Sequence, residues 1–205
     1  MAKKQKVSYV CASCGAMHSS WVGRCTNCGE WNTVQEQLNV TTAMAGSSGK
    51  HLELKSINEV VKAKSVERLK VAIGDVDEVL GGGIVPGSVI LIAGQPGIGK
   101  STLLMQVAAS IARTKRVIYI SGEESAEQVA MRASRLGAGG EDLILTTSTS
   151  ANDIAATISS DSADLVVVDS IQTLSCAEIA SAAGSVSQIT NSTQLITAAA
   201  KGSGT

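Results

Sequence analysis

The 205-residue sequence contains no phenylalanine, and only 2% of its residues are aromatic. Its core must therefore be built from Val, Ile, Leu and Ala, which suits a parallel sheet covered by alanine-rich helices. No apolar run approaches the ~20 residues of a membrane-spanning helix. No apolar segment follows the basic residues 1–6, so we expect no signal peptide and no membrane association. A cytoplasmic location is the simplest expectation.

Charge is also nearly balanced, with a formal net charge of -1. The overall charge therefore neither favours nor excludes a nucleic-acid partner. The basic residues are unevenly placed, because 16 of the 17 Lys and Arg residues lie at or before Arg135. Residues 136–205 carry seven acidic residues and one basic residue. We therefore expect any DNA-binding surface in the first two-thirds of the chain.

Four of the five cysteines form two Cys-x-x-Cys pairs separated by ten residues: Cys11, Cys14, Cys25 and Cys28. This spacing is typical of a zinc site with four thiolate ligands. Gly15 and Gly29 follow the pairs, where a tight turn favours a residue without Cβ. Two disulfides are the alternative, less favoured in a reducing compartment, and a redox Cys-x-x-Cys is favoured less again.

The other residues of this module are assigned simpler roles. His18 is expected to be a surface residue, since four thiolates already complete the site. Trp21 and Trp31 are expected to cover the small zinc core. Cys176, the fifth cysteine, has no partner at a suitable spacing and is expected to be an ordinary thiol.

A glycine-rich turn follows the apolar residues 89–93, which predict a buried strand. Gly94, Gly99, Lys100 and Ser101 fit the phosphate-binding pattern G-x-x-x-x-G-K-[ST]. In this loop, Lys100 would contact the β- and γ-phosphates during catalysis and Ser101 would bind Mg²⁺. The predicted nucleotide-binding residues are Gly94, Gln95, Pro96, Gly97, Ile98, Gly99, Lys100, Ser101 and Thr102. An ordinary glycine-rich strand-to-helix turn is the alternative.

Acidic residues end two later predicted strands. Asp169 follows the apolar residues 165–168, which is the position of a Walker-B acid that binds Mg²⁺. Glu123 and Glu124 follow the strand predicted over 117–121, and one of them could polarise the attacking water, with Glu123 favoured. Alternatively, Asp169 simply ends a strand, and the two glutamates begin a helix whose dipole favours acids.

Strands and helices alternate after residue 65, which predicts a doubly wound, mostly parallel sheet. A capping box of Ser125 and Gln128 begins one of these helices, and Gly137 can end it. We divide the chain into a zinc ribbon at 1–33, a linker at 34–64 and an ATPase domain at 65–205.

The combined motifs resemble the bacterial RadA (Sms) family of DNA-repair ATPases related to RecA. The matching segments are Cys11–Gly15, Trp21–Trp31, Leu80–Gly87, Gly94–Thr102, Ser121–Ser125, Asp169–Thr173 and Gly184–Gln188. The resemblance covers nearly the whole chain and corresponds to the N-terminal portion of the family. Family members continue with a Lys-Asn-Arg-Phe-Gly motif, which this phenylalanine-free chain lacks.

The resemblance implies a RecA-like P-loop fold behind a Cys₄ zinc ribbon, with Zn²⁺, Mg²⁺ and ATP as cofactors. It implies ATP hydrolysis with Glu123 as the catalytic glutamate, and branch migration on single-stranded or branched DNA. It also implies a hexameric ring and a partner recombinase of the RecA type.

Two other functions remain open at this point. The chain could bind zinc and ATP without turnover, as a regulatory or interaction module. It could also be a phosphotransferase resembling the circadian KaiC proteins, which carry paired glutamates after the same strand. The zinc ribbon argues against the phosphotransferase.

Overall fold

A computed structural model describes residues 7–38, 54–59, 67–140 and 142–205. The N-terminal part is a small antiparallel sheet of β1 (Val7–Cys11), β2 (Met17–His18) and β3 (Val34–Leu38). Its strand order is β2-β1-β3, with β1 in the centre. The ribbon sheet therefore extends to Leu38, five residues beyond the boundary expected at 33, because all of β3 pairs with β1.

The central sheet of the remaining chain is parallel, as predicted. It consists of β4 (Val117–Ser121), β5 (Leu143–Thr147) and β6 (Leu165–Asp169) in the order β5-β4-β6. Both outer strands pair with β4 along its whole length. In this register Ser121 lies opposite Asp169, so the carboxyl ends of β4 and β6 meet at one edge of the sheet.

The helices are joined to these strands in the expected alternation. They are α1 (Gly74–Val79), α2 (Lys100–Ile111), α3 (Ala126–Arg135), α4 (Ala151–Ser160) and α5 (Val186–Ser203). A short 3₁₀ helix at Ile171–Thr173 follows β6. The capping box at the start of α3 is present in full, since the Ser125 side chain accepts from the Gln128 N–H and the Gln128 side chain accepts from the Ser125 N–H. Gly137 has φ +64° after this helix, the left-handed conformation that favours glycine.

Helices cover both faces of β4, which is why all five of its residues are buried. On one face, Val117 and Tyr119 pack in a cluster with residues of α2 and α3, such as Met105 and Val129. On the other, Ile118 and Ile120 pack with residues of α4 and α5. Apart from Tyr119, the buried side chains of both clusters are non-aromatic, as the composition predicts. Helices on both faces of a parallel sheet confirm the doubly wound core that the alternation of elements predicts.

The strand predicted over residues 89–93 is wrong for this structure. These residues are in no strand, and the side chains of Val89, Ile90 and Leu91 are 47%, 44% and 78% exposed. A strand needs a neighbour for its backbone N–H and C=O groups. Within the described ranges no strand lies beside 89–93, and β6 pairs only with β4, which leaves its other edge unpaired.

Most of the predicted linker cannot be compared with the structure. Residues 39–53 and 60–66 lie outside the described residues. Residues 57–59 are helical. The ribbon also contacts the later domain, where Ser187 Oγ of α5 donates a hydrogen bond of 2.5 Å to the Glu36 carbonyl.

Candidate active site and zinc centre

The glycine-rich loop at 94–99 leads directly into α2, as the phosphate-binding pattern requires. Gly97 and Gly99 have φ of +79° and +100°, which residues with a Cβ rarely adopt. Gly99 is the N-cap of α2, so the positive end of this helix points toward the loop. Lys100 Nζ donates to the carbonyls of Gly94 and Gln95 at 2.8 and 2.9 Å. The lysine therefore lies over the loop where phosphates would bind.

Two predicted magnesium residues from distant parts of the chain meet here. Ser101 Oγ, in the first turn of α2, lies 3.2 Å from Asp169 Oδ1, at the end of β6. Two oxygen donors at one point suit Mg²⁺, which prefers hard oxygen ligands. This contact joins the loop to the parallel sheet, although residues 89–93 themselves lie in no strand.

A cluster of polar side chains contacts the second carboxylate oxygen of Asp169, Oδ2. The Tyr119 hydroxyl donates a hydrogen bond of 2.6 Å to Asp169 Oδ2. Arg132 of α3 lies close to the same oxygen, with Nη2 at 3.6 Å, and its Nη1 is 2.8 Å from Glu124 Oε2. Burial, and then the hydrogen bond to Asp169, raise the pKa of the Tyr119 hydroxyl well above its usual range. Tyr119 therefore remains a proton donor to the carboxylate.

The structure separates the two adjacent glutamates. Glu123 is exposed, and its Oε1 accepts a hydrogen bond from Ser170 Oγ, the residue that follows Asp169. Glu124 is half-buried and forms the ion pair with Arg132. Glu123 is therefore the glutamate that lies beside the end of β6.

A buried glutamine organises the segment after β6. Gln188 of α5 is 1% exposed. Its Oε1 accepts from the Cys176 N–H at 2.8 Å, and its Nε2 donates to the carbonyls of Ile179 and Ser181. The loop at 176–181 is therefore attached to α5 through one side chain. Cys176 is a buried thiol 3.5 Å from Ser192 Oγ.

The four cysteines of the ribbon converge on one point. Their sulfur atoms all lie within 4.8 Å of one another. Cys11 and Cys28 are 3.7 Å apart, and so are Cys14 and Cys25. Four ligands at about 2.3 Å from Zn²⁺ in a tetrahedron are about 3.8 Å apart, so the arrangement fits a zinc ion. All four cysteines are free, which excludes the two-disulfide alternative in this structure.

The thiols do not ionise equally without a cation. The hydrogen bond with the Thr33 hydroxyl lowers the pKa of Cys11 to about 6, and a hydrogen bond with the backbone of Ala16 lowers the pKa of Cys14. The backbone of Glu30 also lowers the pKa of Cys28, but desolvation and the neighbouring thiols outweigh it and raise that pKa to about 12. Four thiolates at this separation therefore need a cation between them.

The predicted role of the tryptophans is wrong. Trp21 and Trp31 are 60% and 67% exposed and do not cover the zinc core, which Tyr9, Ala16 and Val22 contact instead. The Arg24 guanidinium lies over the Trp31 ring, 5.6 Å from its centroid. His18 is half-buried and its Nε2 lies 3.5 Å from Cys25 Sγ, so it is a neighbour of the cluster and not one of its four members.

Sequence reasoning missed Tyr119 and Arg132. Tyr119 did carry a signal, because a hydroxyl inside the apolar segment 117–120 needs a hydrogen-bond partner when buried. Arg132 gave none, since an arginine in the last turn of an amphipathic helix ordinarily faces solvent.

Comparisons with known proteins agree with both parts of the chain. A family model described as an AAA domain matches residues 57–202, more than half of the chain. A model described as a rubredoxin metal binding domain matches residues 9–36. No helix among the described residues is long and apolar enough to cross a membrane.

Several bacterial proteins are similar over nearly the whole chain. The DNA repair protein RadA of Haemophilus influenzae is 41% identical over 98% of this chain, and that of Brucella abortus is 42% identical over 98%. The DNA repair protein RadA of Aquifex aeolicus is 42% identical over 95%. The chain spans 43 to 45% of the length of these relatives.

Proposed function

Because this chain belongs to the bacterial RadA family and to the AAA domain family, we propose that it binds ATP with Mg²⁺ and hydrolyses it in DNA repair. The observation that carries the proposal is the contact of Ser101 Oγ with Asp169 Oδ1 at 3.2 Å. It brings the phosphate-binding loop and the acid of β6 to one point, as P-loop nucleotide hydrolysis requires. The relatives are named as DNA repair proteins, which supports the biological role.

In the proposed binding step, Lys100 exchanges its hydrogen bonds with the Gly94 and Gln95 carbonyls for the β- and γ-phosphate oxygens. The start of α2, whose N-cap is Gly99, would face the same phosphates. Ser101 and Asp169 would hold Mg²⁺, which neutralises charge on the phosphate oxygens.

In the proposed hydrolysis step, Glu123 accepts a proton from the attacking water. Its carboxylate lies beside Ser170 and therefore near Asp169, whereas Glu124 is neutralised by Arg132. A general base must be able to reach the attacking water, and the ion pair holds the Glu124 carboxylate against Arg132. Glu123 is therefore the better candidate.

We further propose that the whole protein uses this turnover for branch migration on single-stranded or branched DNA. The expected assembly is a homo-oligomeric, hexameric ring that acts with a recombinase of the RecA type in the cytoplasm. These details come from the family resemblance, supported by the name that the relatives carry.

The test is ATP hydrolysis by this chain with and without single-stranded DNA. Lys100→Ala should weaken nucleotide binding by about 10- to 100-fold, because charge-assisted hydrogen bonds to phosphate contribute about 1.5–3 kcal/mol. Lys115→Ala is the matched control, since Lys115 pairs with Asp164 on the surface. Unchanged nucleotide affinity in Lys100→Ala would contradict the loop assignment. Phosphate appearing on a Ser or Thr of the chain would favour the phosphotransferase.

A binding module without turnover is the second candidate. The exposed apolar segment 89–93 favours it, because the phosphate-binding loop is then supported by α2 but not by a strand of the sheet. Catalysis depends on holding groups in place to within a fraction of an ångström. Tight ATP binding with no turnover, with or without DNA, would support this candidate.

A further inference from the structure

The Asp169 carboxylate has two oxygens with different neighbours. Oδ1 faces Ser101 Oγ at 3.2 Å. Oδ2 accepts the hydrogen bond from the Tyr119 hydroxyl at 2.6 Å and lies 3.6 Å from Arg132 Nη2. The side chain is only 14% exposed, so water does little to fix its orientation. The protein groups around Oδ2 therefore determine which way Oδ1 points.

Arg132 connects this carboxylate to the turn that carries the glutamates. Its side chain is 16% exposed, and its two terminal nitrogens reach different partners. Nη1 pairs with Glu124, while Nη2 lies 3.4 Å from the Tyr119 hydroxyl and close to Asp169. A largely buried carboxylate is costly without such a counter-charge. One guanidinium thus balances acids from both strand ends.

Tyr119 is fixed more firmly than the groups it contacts. It is 0% exposed in the centre of β4, and its ring is held between α2 and α3 by Met105 and Val129. Asp169 lies on the neighbouring strand, opposite Ser121 and two residues beyond the partner of Tyr119. The hydroxyl therefore reaches Asp169 diagonally across the sheet from a rigid position.

We propose that Tyr119 and Arg132 are positioning residues that hold Asp169 Oδ2, so that Oδ1 is kept facing Ser101. The contact itself needs no ligand, and its consequence for Mg²⁺ rests on the proposed function. Both residues lie at Oδ2, whereas Ser101 lies at Oδ1. Their effect would reach the nucleotide only through the orientation of that carboxylate.

Tyr119→Phe tests the proposal, because it removes the hydroxyl and leaves the ring in place. We expect the Mg²⁺ concentration for half-maximal binding of a fluorescent ATP analogue to rise about tenfold, as a hydrogen bond to a charged group contributes about 1.5–3 kcal/mol. The affinity for the analogue in buffer without Mg²⁺ should not change. Tyr9→Phe, at the other tyrosine of the chain, is the control and should leave both values at wild type. A Mg²⁺ titration of Tyr119→Phe identical to wild type would overturn the proposal.

A second measurement separates this proposal from the proposed function. If the wild-type chain does not bind the analogue, the proposed function fails. A double-mutant cycle then tests whether Tyr119 holds Asp169 in the absence of a ligand. Tyr119→Phe and Asp169→Ala, alone and together, are compared by thermal unfolding in buffer without Mg²⁺. The contact is supported if the double variant loses less Tm than the sum of the losses in the two single variants. Additive losses overturn it.

Discussion

The zinc ribbon and the ATPase domain of this chain reach a stable fold by different means. Among the described residues, the buried apolar cluster of the ribbon consists of Val34 and two members of the four-cysteine cluster, Cys11 and Cys25. The ATPase domain buries two aliphatic clusters, one on each face of β4. Hydrophobic burial therefore stabilises the larger domain, whereas the smaller one has too little apolar surface to fold without its metal.

The two domains also differ in where their aromatic residues lie. Both tryptophans of the chain lie in the ribbon, at Trp21 and Trp31, and both are exposed. The buried aromatic of the ATPase domain is Tyr119, which is used for its hydroxyl as well as its ring. Tryptophan fluorescence therefore reports on the ribbon alone, which lets the two regions be followed separately in one sample.

The largest effect should come from removing one zinc ligand. Cys28→Ser is expected to abolish zinc binding and unfold the ribbon, since structural zinc supplies about 10–16 kcal/mol of folding free energy. The tryptophan emission should change and the bound zinc should be lost. The far-ultraviolet circular dichroism transition of the ATPase domain should keep its Tm.

Cys176→Ser is the matched control, because it removes the thiol that lies outside the ribbon. It should retain the full zinc content. A Cys28→Ser protein with one zinc per chain would show that the four-cysteine site is wrong. A large loss of Tm in the ATPase domain would show that the two regions do not fold independently.

A smaller effect is expected from the buried polar contacts of the ATPase domain. Gln188→Leu leaves the Cys176 N–H and the Ile179 and Ser181 carbonyls without these hydrogen bonds, two of which are buried. We expect a loss of about 3 kcal/mol, or roughly 6–12 °C in Tm, with unchanged zinc content. Gln194→Leu, at an exposed position of the same helix, should change Tm by little. Equal losses in the two variants would contradict the role of Gln188.

The smallest effect concerns the pH dependence of zinc binding by the ribbon. Cys28 has its pKa raised to about 12 in the metal-free cluster, so at neutral pH its proton must leave when zinc binds. The apparent zinc affinity should therefore fall by at least about tenfold for each unit that the pH drops from 8 to 6. Competition with a chelator of known affinity measures this. An affinity independent of pH would mean that the thiols are already ionised.

Apolar segments of similar composition adopt different structures within the ATPase domain. The apolar segments at 117–121, 143–147 and 165–169 form the three parallel strands that their composition predicts. Residues 89–93 have the same kind of composition but are exposed and in no strand. A β-branched apolar segment shows only that a strand is possible, because its backbone must still find a partner.

The site could be predicted where chemistry fixes the residue type and the spacing. The four cysteines lie together, and the Ser101 hydroxyl lies beside Asp169 at the end of β6, as their patterns predict. The pattern favoured Glu123 over Glu124, but the structural reason for that choice could not be predicted, because adjacent residues share their local signals. It depends on Arg132, which is distant in sequence from Asp169 but lies beside it across the sheet.

By itself, the sequence determined the family, the alternation of strands and helices, and the residues able to bind zinc and phosphate, since these follow from residue chemistry at short range. The capping box at Ser125 and the left-handed conformation of Gly137 could likewise be predicted from residues close together in the sequence. Only the tertiary structure decided which acid is neutralised, which oxygen of Asp169 is held, and that the tryptophans face solvent. These outcomes depend on which side chains meet across strands and helices, and that is set by packing and register between segments distant in the chain.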